Sequence, residues 1–104
     1  MKRRYLYLAA LWAGLIFALS SQPGSAVGLP PPWDKLAHMS AYAILALLLR
    51  AGGLRPGAAW WLAVLYGAGD ELHQHFVPGR LADPADLAAD ALGALAAFLW
   101  GRIG

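Results

Sequence analysis

The sequence predicts an all-α protein: a multi-pass transmembrane bundle of four short helices, with both termini in the cytoplasm. Three observations predict it. The chain is one domain long and very apolar, with 60% hydrophobic and only 13% charged residues among 104. Counted with Gly and without Tyr, its apolar residues reach about two-thirds, against roughly 45–50% in soluble domains. Those residues fall into four stretches of near-spanning length, set apart by Pro and Gly. Finally, the basic residues gather on one side of that threading and the acidic residues on the other. Composition also excludes several classes. Disorder would need low hydrophobicity and high charge. A chain without Cys has neither a disulfide framework nor a thiol-ligated metal. A net charge of +2 is too small to argue for nucleic acid as a partner.

The first stretch, residues 5–20, would reach about 24 Å as a helix. Ser21, Gln22, Pro23 and Gly24 end it, and Pro30, Pro31 and Pro32 hold the next piece extended. The second stretch covers residues 35–49, and Gly52, Gly53, Pro56 and Gly57 break the chain after it. The third covers 58–74 and has the weakest hydropathy, so its span relies on its neighbours; Pro78 and Gly79 follow. The fourth covers 84–100, with Asp83 as N-cap and Pro84 at the first helical position. Each is near the short end of the spanning range of about 17–25 residues.

With the N-terminus inside, the cytoplasmic side collects Lys2, Arg3, Arg4, Arg50, Arg55 and Arg102 and no acid. The outer side collects Asp34, Asp70, Glu71, Asp83, Asp86, Asp90 and all three His, with only Lys35 and Arg80 as basic residues. That bias is the positive-inside pattern. Trp60, Trp61 and Trp100 fall near the inner interface, Trp33 and Phe76 near the outer one. A competing reading takes Lys2 to Ala26 as a secretory signal with a small-residue cleavage site. The three remaining stretches would then make a poor secreted protein, with Arg102 outside.

The acids share helical faces. Asp34, His38 and Tyr42 recur at i, i+4, i+8; Asp70 and Gln74 share a face, flanked by Glu71 and His73; Asp83, Asp86 and Asp90 recur at i, i+3, i+7, followed by Gly93 and Ala97. An Asp or Lys at a helix centre costs roughly 2.5–3.5 kcal/mol on insertion, and a Leu returns only about 0.3–0.6. Asp70, Glu71, Asp86 and Asp90 are therefore expected to face inward, paired or hydrated. Arg80 is the expected counter-charge, able to grip a carboxylate or phosphate through two N–H groups. With two basic residues facing six acids, some acids are expected to stay protonated or to bind a cation.

The candidate ligand-binding set is thus Asp34, Lys35, His38, Tyr42, Asp70, Glu71, Gln74, Arg80, Asp86 and Asp90. Glu71, His38 and Asp70 are the candidates for acid–base work. A divalent cation is a candidate cofactor, with His38, Glu71 and His75 as its ligands, because Asp34 to His38 and Glu71 to His75 are each i, i+4. Neither pair has the His-Glu-x-x-His form of a zinc protease. Plainer roles compete. Asp34, Asp83 and Asp86 suit helix N-termini. Gly67, Ala89, Gly93 and Ala97 suit close helix packing. No Ser has a triad-like setting, and no phosphate-cradling Gly loop is present.

Four ordered pieces resemble the VanZ-like family of small bacterial membrane proteins. They are Phe17 with Ser20, Ser21, Gln22 and Pro23; Asp34, Lys35 and His38 with Tyr42; Asp70, Glu71, His73 and Gln74 running into Phe76, Val77, Pro78, Gly79 and Arg80; and Asp86, Asp90 and Gly93. The resemblance covers nearly all of residues 1–104 and implies a single membrane domain. Many members carry Asn at the position of Asp90, which favours a hydrogen-bonding role there over an acid role. The family takes its name from a protein linked to low-level resistance to teicoplanin, a glycopeptide that acts on cell-wall precursors outside the membrane. The resemblance therefore implies a cell-envelope role in the bacterial cytoplasmic membrane.

Four functional readings follow. The first is an outward-facing pocket that binds or processes a lipid-linked envelope precursor. The second is a hydrolase or phosphatase on polyprenyl phosphates, with His38 or His73 as acid–base group. The third is a cation carrier, disfavoured because polar groups on one half of the spans give no through-path. The fourth is a non-catalytic scaffold with structural acids, in which a paired charge swap at Asp86 and Arg80 would preserve function. Oligomeric state is open at this stage.

Overall fold

The computed structural model describes residues 3–20, 33–76 and 84–99. Among them the chain is all-helical: α1 Arg3–Ser20, α2 Trp33–Ala51, α3 Pro56–Gln74 and α4 Pro84–Ala94, which tightens into a 3-10 segment at Leu95–Leu99. The expected four helices are present. The fourth differs in that its last turn and a half is 3-10 rather than α. Arg50 explains part of this: its Nε donates to the Ala97 carbonyl at 3.1 Å and its Nη1 to the Leu54 carbonyl at 2.7 Å. A side-chain donor thereby takes up a carbonyl that a helix end leaves without an intrahelical partner.

The break between α2 and α3 follows from Gly53, whose φ of 108° is open to glycine but strained for other residues. Its N–H bonds the Arg50 carbonyl at 3.0 Å and the Leu54 N–H bonds the Leu49 carbonyl at 3.1 Å. This reciprocal pair ends α2, and Leu54 folds back onto the core beside it. Two residues on, Pro56 starts α3 where its missing N–H costs nothing.

Small residues set how closely the helices approach. On α3 the buried face reads Ala59, Ala63, Gly67, Asp70, Gln74, and on α4 it reads Asp86, Ala89, Asp90, Gly93, Ala94. Tyr42, Leu45, Ala46 and Leu49 of α2 complete the interior. Three further hydrogen bonds tie helices together. Trp12 Nε1 donates to the Ala41 carbonyl at 2.8 Å, Trp60 Nε1 to the Ala91 carbonyl at 3.1 Å, and the Tyr66 hydroxyl to the Ala13 carbonyl. Trp60 is thus a bridge from α3 to α4 and not simply an interfacial anchor.

Contacts from α2 to α4 advance in step: Lys35 with Asp86, His38 with Asp90, Met39 with Gly93, Arg50 with Ala97. The two helices therefore run parallel, as the second and fourth members of an up-down array must. Their N-terminal ends meet the C-terminal end of α3. Asp70, Glu71, Asp86 and Asp90 lie toward that end, while Arg3, Arg4, Arg50 and Arg55 belong to the opposite one. Among the described residues, no helix is long and apolar enough to cross a membrane.

Candidate functional site

The site grows from three helix faces brought together by small residues. On α2, Lys35, His38 and Tyr42 lie on one stripe, since residues three and four apart are neighbours on a helix. On α4, Asp86 and Asp90 have matching spacing. The two stripes interlock: Lys35 Nζ lies 2.6 Å from Asp86 Oδ1, and His38 Nδ1 lies 2.8 Å from Asp90 Oδ1. The other ring nitrogen, Nε2, is 3.8 Å from Asp86 Oδ2. The result is a ladder from the half-buried Lys35 through Asp86 and His38 to Asp90, which is 1% exposed.

Gly93 makes that ladder possible. A Cβ built there would sit 2.1 Å from the Met39 carbonyl oxygen, so α2 and α4 touch backbone to backbone one turn beyond the His38–Asp90 contact. The third face belongs to α3. Asp70 and Gln74 are buried, and Glu71 is half-buried beside them. Asp90, Asp70, Tyr66 and Glu71 all lie within electrostatic reach of Tyr42, as Asp70 and Asp86 do of His38. A Cβ on Gly67 would lie 2.9 Å from Tyr42 Cε2 and 3.0 Å from Asp90 Oδ2. The glycine therefore lets the Tyr42 ring and the Asp90 carboxylate close on the same point of α3. Tyr42 is itself buried, and its hydroxyl has no hydrogen-bond partner among the described residues.

The candidate residues thus divide. Lys35, His38, Tyr42, Asp70, Glu71, Asp86 and Asp90 come together, with Gln74 buried on the face of Asp70. Asp34 lies in the first turn of α2. Arg80 and Asp83 lie outside the described residues, so the expected grip of Arg80 on a carboxylate has no counterpart to report. Lys35 supplies a counter-charge at Asp86. The candidate metal ligands separate: His38 is engaged with Asp90 and Asp86, whereas His75 is exposed at the end of α3, edge-on to Phe76. Its tie to Glu71 is a backbone bond, from the His75 N–H to the Glu71 carbonyl at 3.2 Å. Among the described residues no group of three or more His, Asp or Glu is placed to hold a metal ion. His73, flanking the polar face, stacks on the Phe17 ring with centroids 4.5 Å apart.

A family model described as VanZ/LLP1 matches residues 5–103. The chain belongs to the VanZ/LLP1 family. No curated protein and no solved structure matches it. In this VanZ/LLP1 member the family-like pieces converge in space: Lys35, His38 and Tyr42 of one, Asp70 and Glu71 of another, Asp86, Asp90 and Gly93 of a third. Sequence reasoning did not pair Lys35 with Asp86. Matching spacing of Lys35 and His38 on α2 and of Asp86 and Asp90 on α4 permits that pairing, but the axial offset of the two helices decides it. It also missed Tyr66, whose ring centroid is 6.4 Å from that of Tyr42. Tyr66 also lines an apolar cleft of about 260 Å³, together with Ala9, Ala13, Leu45 and Leu49 among others.

Proposed function

We propose that the protein is a multi-pass protein of the bacterial cytoplasmic membrane, N-terminus and C-terminus inside, whose polar cluster opens outward. There it binds or processes a lipid-linked cell-envelope precursor. One observation carries this reading: the polarity of the bundle is inverted. Asp70, Gln74, Asp86 and Asp90 are buried, while Tyr7, Leu11, Leu65, Leu72 and Phe76 are each at least 62% exposed. In water that arrangement would expose oil and hide charge; in a bilayer it places each group in its preferred surroundings. Helices of 18 and 19 residues come to about 27–29 Å, against a hydrocarbon core of roughly 30 Å. Among the described residues no single helix meets the demand for an apolar span, so insertion depends on the helices neutralising one another's charges as a bundle.

The precursor class follows from what adjoins the cluster. A polar head group would meet Lys35, His38, Asp70, Glu71 and Asp86, with Arg80 holding a phosphate or carboxylate. A topology reporter placed after Gly28 is expected to read outside, and one after Gly53 inside; the same side for both would remove the membrane reading. Expression in a teicoplanin-sensitive bacterium is expected to raise glycopeptide tolerance. Arg80→Ala and Glu71→Gln, at matched protein levels, are expected to abolish that gain. An unchanged gain in both variants would remove the pocket from the account.

A second reading is favoured by the His38–Asp90 contact. An imidazole held at 2.8 Å by a buried carboxylate has the form of a general base with its orienting partner. Such a group would suit a hydrolase or phosphatase acting on polyprenyl phosphates. That reading requires phosphate release by purified protein, lost in both His38 and Glu71 variants.

A further inference from the structure

We propose that the apolar cleft between α1, α2 and α3 takes an acyl chain of an anionic phospholipid from the inner leaflet, with Arg3 and Arg55 holding its head group. The inference rests on the membrane placement above and adds a second ligand site, toward the end of the bundle opposite the polar cluster. Leu6, Ala10 and Ala13 of α1, Leu49 of α2, and Leu62 and Tyr66 of α3 outline the cleft. The hydroxyl of Tyr66 donates to the Ala13 carbonyl, so it ties α3 to α1 and asks nothing of a guest. Ala10 and Leu62 are exposed, which leaves the cleft open at the bundle surface. Size selects a chain. The volume is about 260 Å³, and the α1 wall from Leu6 to Ala13 is about 10 Å long. A helix about 10 Å across would need on the order of 800 Å³ over that length. A hydrocarbon chain is thin enough, and about 10 Å stays within one leaflet of roughly 15 Å.

Charge selects the head group. Arg3 begins the α1 stripe that continues as Leu6, Ala10 and Ala13, at i, i+3, i+7 and i+10. Arg55 immediately precedes α3, two turns before Leu62. Both arginines are exposed, and among the described residues no acid pairs with either. Two other arginines at this end are engaged: Arg4 lies over the Tyr5 ring, and Arg50 donates to the Ala97 and Leu54 carbonyls. Asp70, the first acid along α3, is about 22 Å from Arg55 by helical rise, far beyond a screening length of about 8 Å. Guanidinium groups at the mouth of a hydrocarbon cleft suit a phosphate that carries an acyl chain.

The test separates chain from charge. The purified full chain, in a neutral detergent, is titrated with dioleoylphosphatidylglycerol and separately with dioleoylphosphatidylcholine, and retained lipid is counted by native mass spectrometry. Phosphatidylglycerol is expected to bind roughly thirtyfold more tightly, about fivefold for each arginine. The double variant Arg3→Gln with Arg55→Gln is expected to erase that preference. Ala10→Leu puts a good helix former at an exposed position and fills the cleft, so both lipids are expected to weaken about tenfold with Tm unchanged. Equal binding of the two lipids by the parent overturns the proposal. An affinity for phosphatidylglycerol that Ala10→Leu leaves intact also overturns it, because the arginines would then bind head groups without the cleft. A protein dimer that Ala10→Leu abolishes would instead put a second copy on this face. The reporters after Gly28 and Gly53 read the membrane placement alone, so its failure is distinct from failure of the lipid site.

Discussion

Gly93→Ala is expected to unseat α4 from α2 and to produce the largest loss of stability of any single methyl added to this protein. The added carbon would lie 2.1 Å from the Met39 carbonyl oxygen and 2.8 Å from both its carbonyl carbon and Cα. These are backbone atoms of a helix, so they cannot swing aside as a side-chain tip would. The helices must separate, and the separation is felt one turn away by the 2.8 Å His38–Asp90 contact and beyond it by Lys35 and Asp86. Overpacking a close-packed contact typically costs about 1–3 kcal/mol, and the upper end or more is expected where backbone meets backbone. Gly14→Ala is the control, since a Cβ there meets nothing within 4 Å and alanine is the better helix former. Denaturant titration of both variants in the same micelle decides the matter. Equal behaviour of the two would mean that α2 and α4 are not held by this approach.

The fold was legible because its signals are local. Gly53 closes α2 through a rule that needs no partner, whereas Pro56 and Gly57, read as part of the break, open α3 two residues earlier than expected. The inward turn of Asp70, Asp86 and Asp90 was legible for a different reason: charge placement is expensive, so the helical stripe of acids could face only one way. The pairing within the site was less legible. Which acid meets Lys35 and which meets His38 depends on the axial offset between α2 and α4, and the close approach at Gly93 fixes it. Spacing along one helix carries no information about that offset. The separation of His75 from His38 was hidden in the same way: spacing places Glu71 and His75 one turn apart on α3 but does not say which neighbour each one faces. Trp12, Trp60 and Tyr66 were also unreadable in advance. Each donates to a carbonyl on another helix, and carbonyls are invisible to residue patterns.

Cutting the His38–Asp90 contact is expected to have an effect of similar size, with an order among variants that identifies its cause. Asp90 is 1% exposed, so His38→Ala leaves a carboxylate in the interior without the imidazole that answers it. Removing one member of a buried pair typically costs about 3–5 kcal/mol, chiefly because the survivor stays charged and desolvated. Asp90→Asn should cost much less, about 1 kcal/mol, since the amide keeps a hydrogen bond to the ring and buries no charge. The double variant His38→Ala with Asp90→Asn is then expected to be more stable than His38→Ala alone. Equilibrium unfolding of the four proteins tests this as a thermodynamic cycle. A harmless His38→Ala would show that the contact contributes nothing. The order also bears on function. A loss of tolerance or of phosphate release in His38→Ala mixes stability with chemistry, whereas Asp90→Asn preserves the pair's geometry and removes its charge. If Asp90→Asn retains function, Asp90 works as a hydrogen-bonding support for His38. If it loses function in a folded protein, the negative charge behind the imidazole is itself required, which is what the general-base reading demands and simple head-group binding does not.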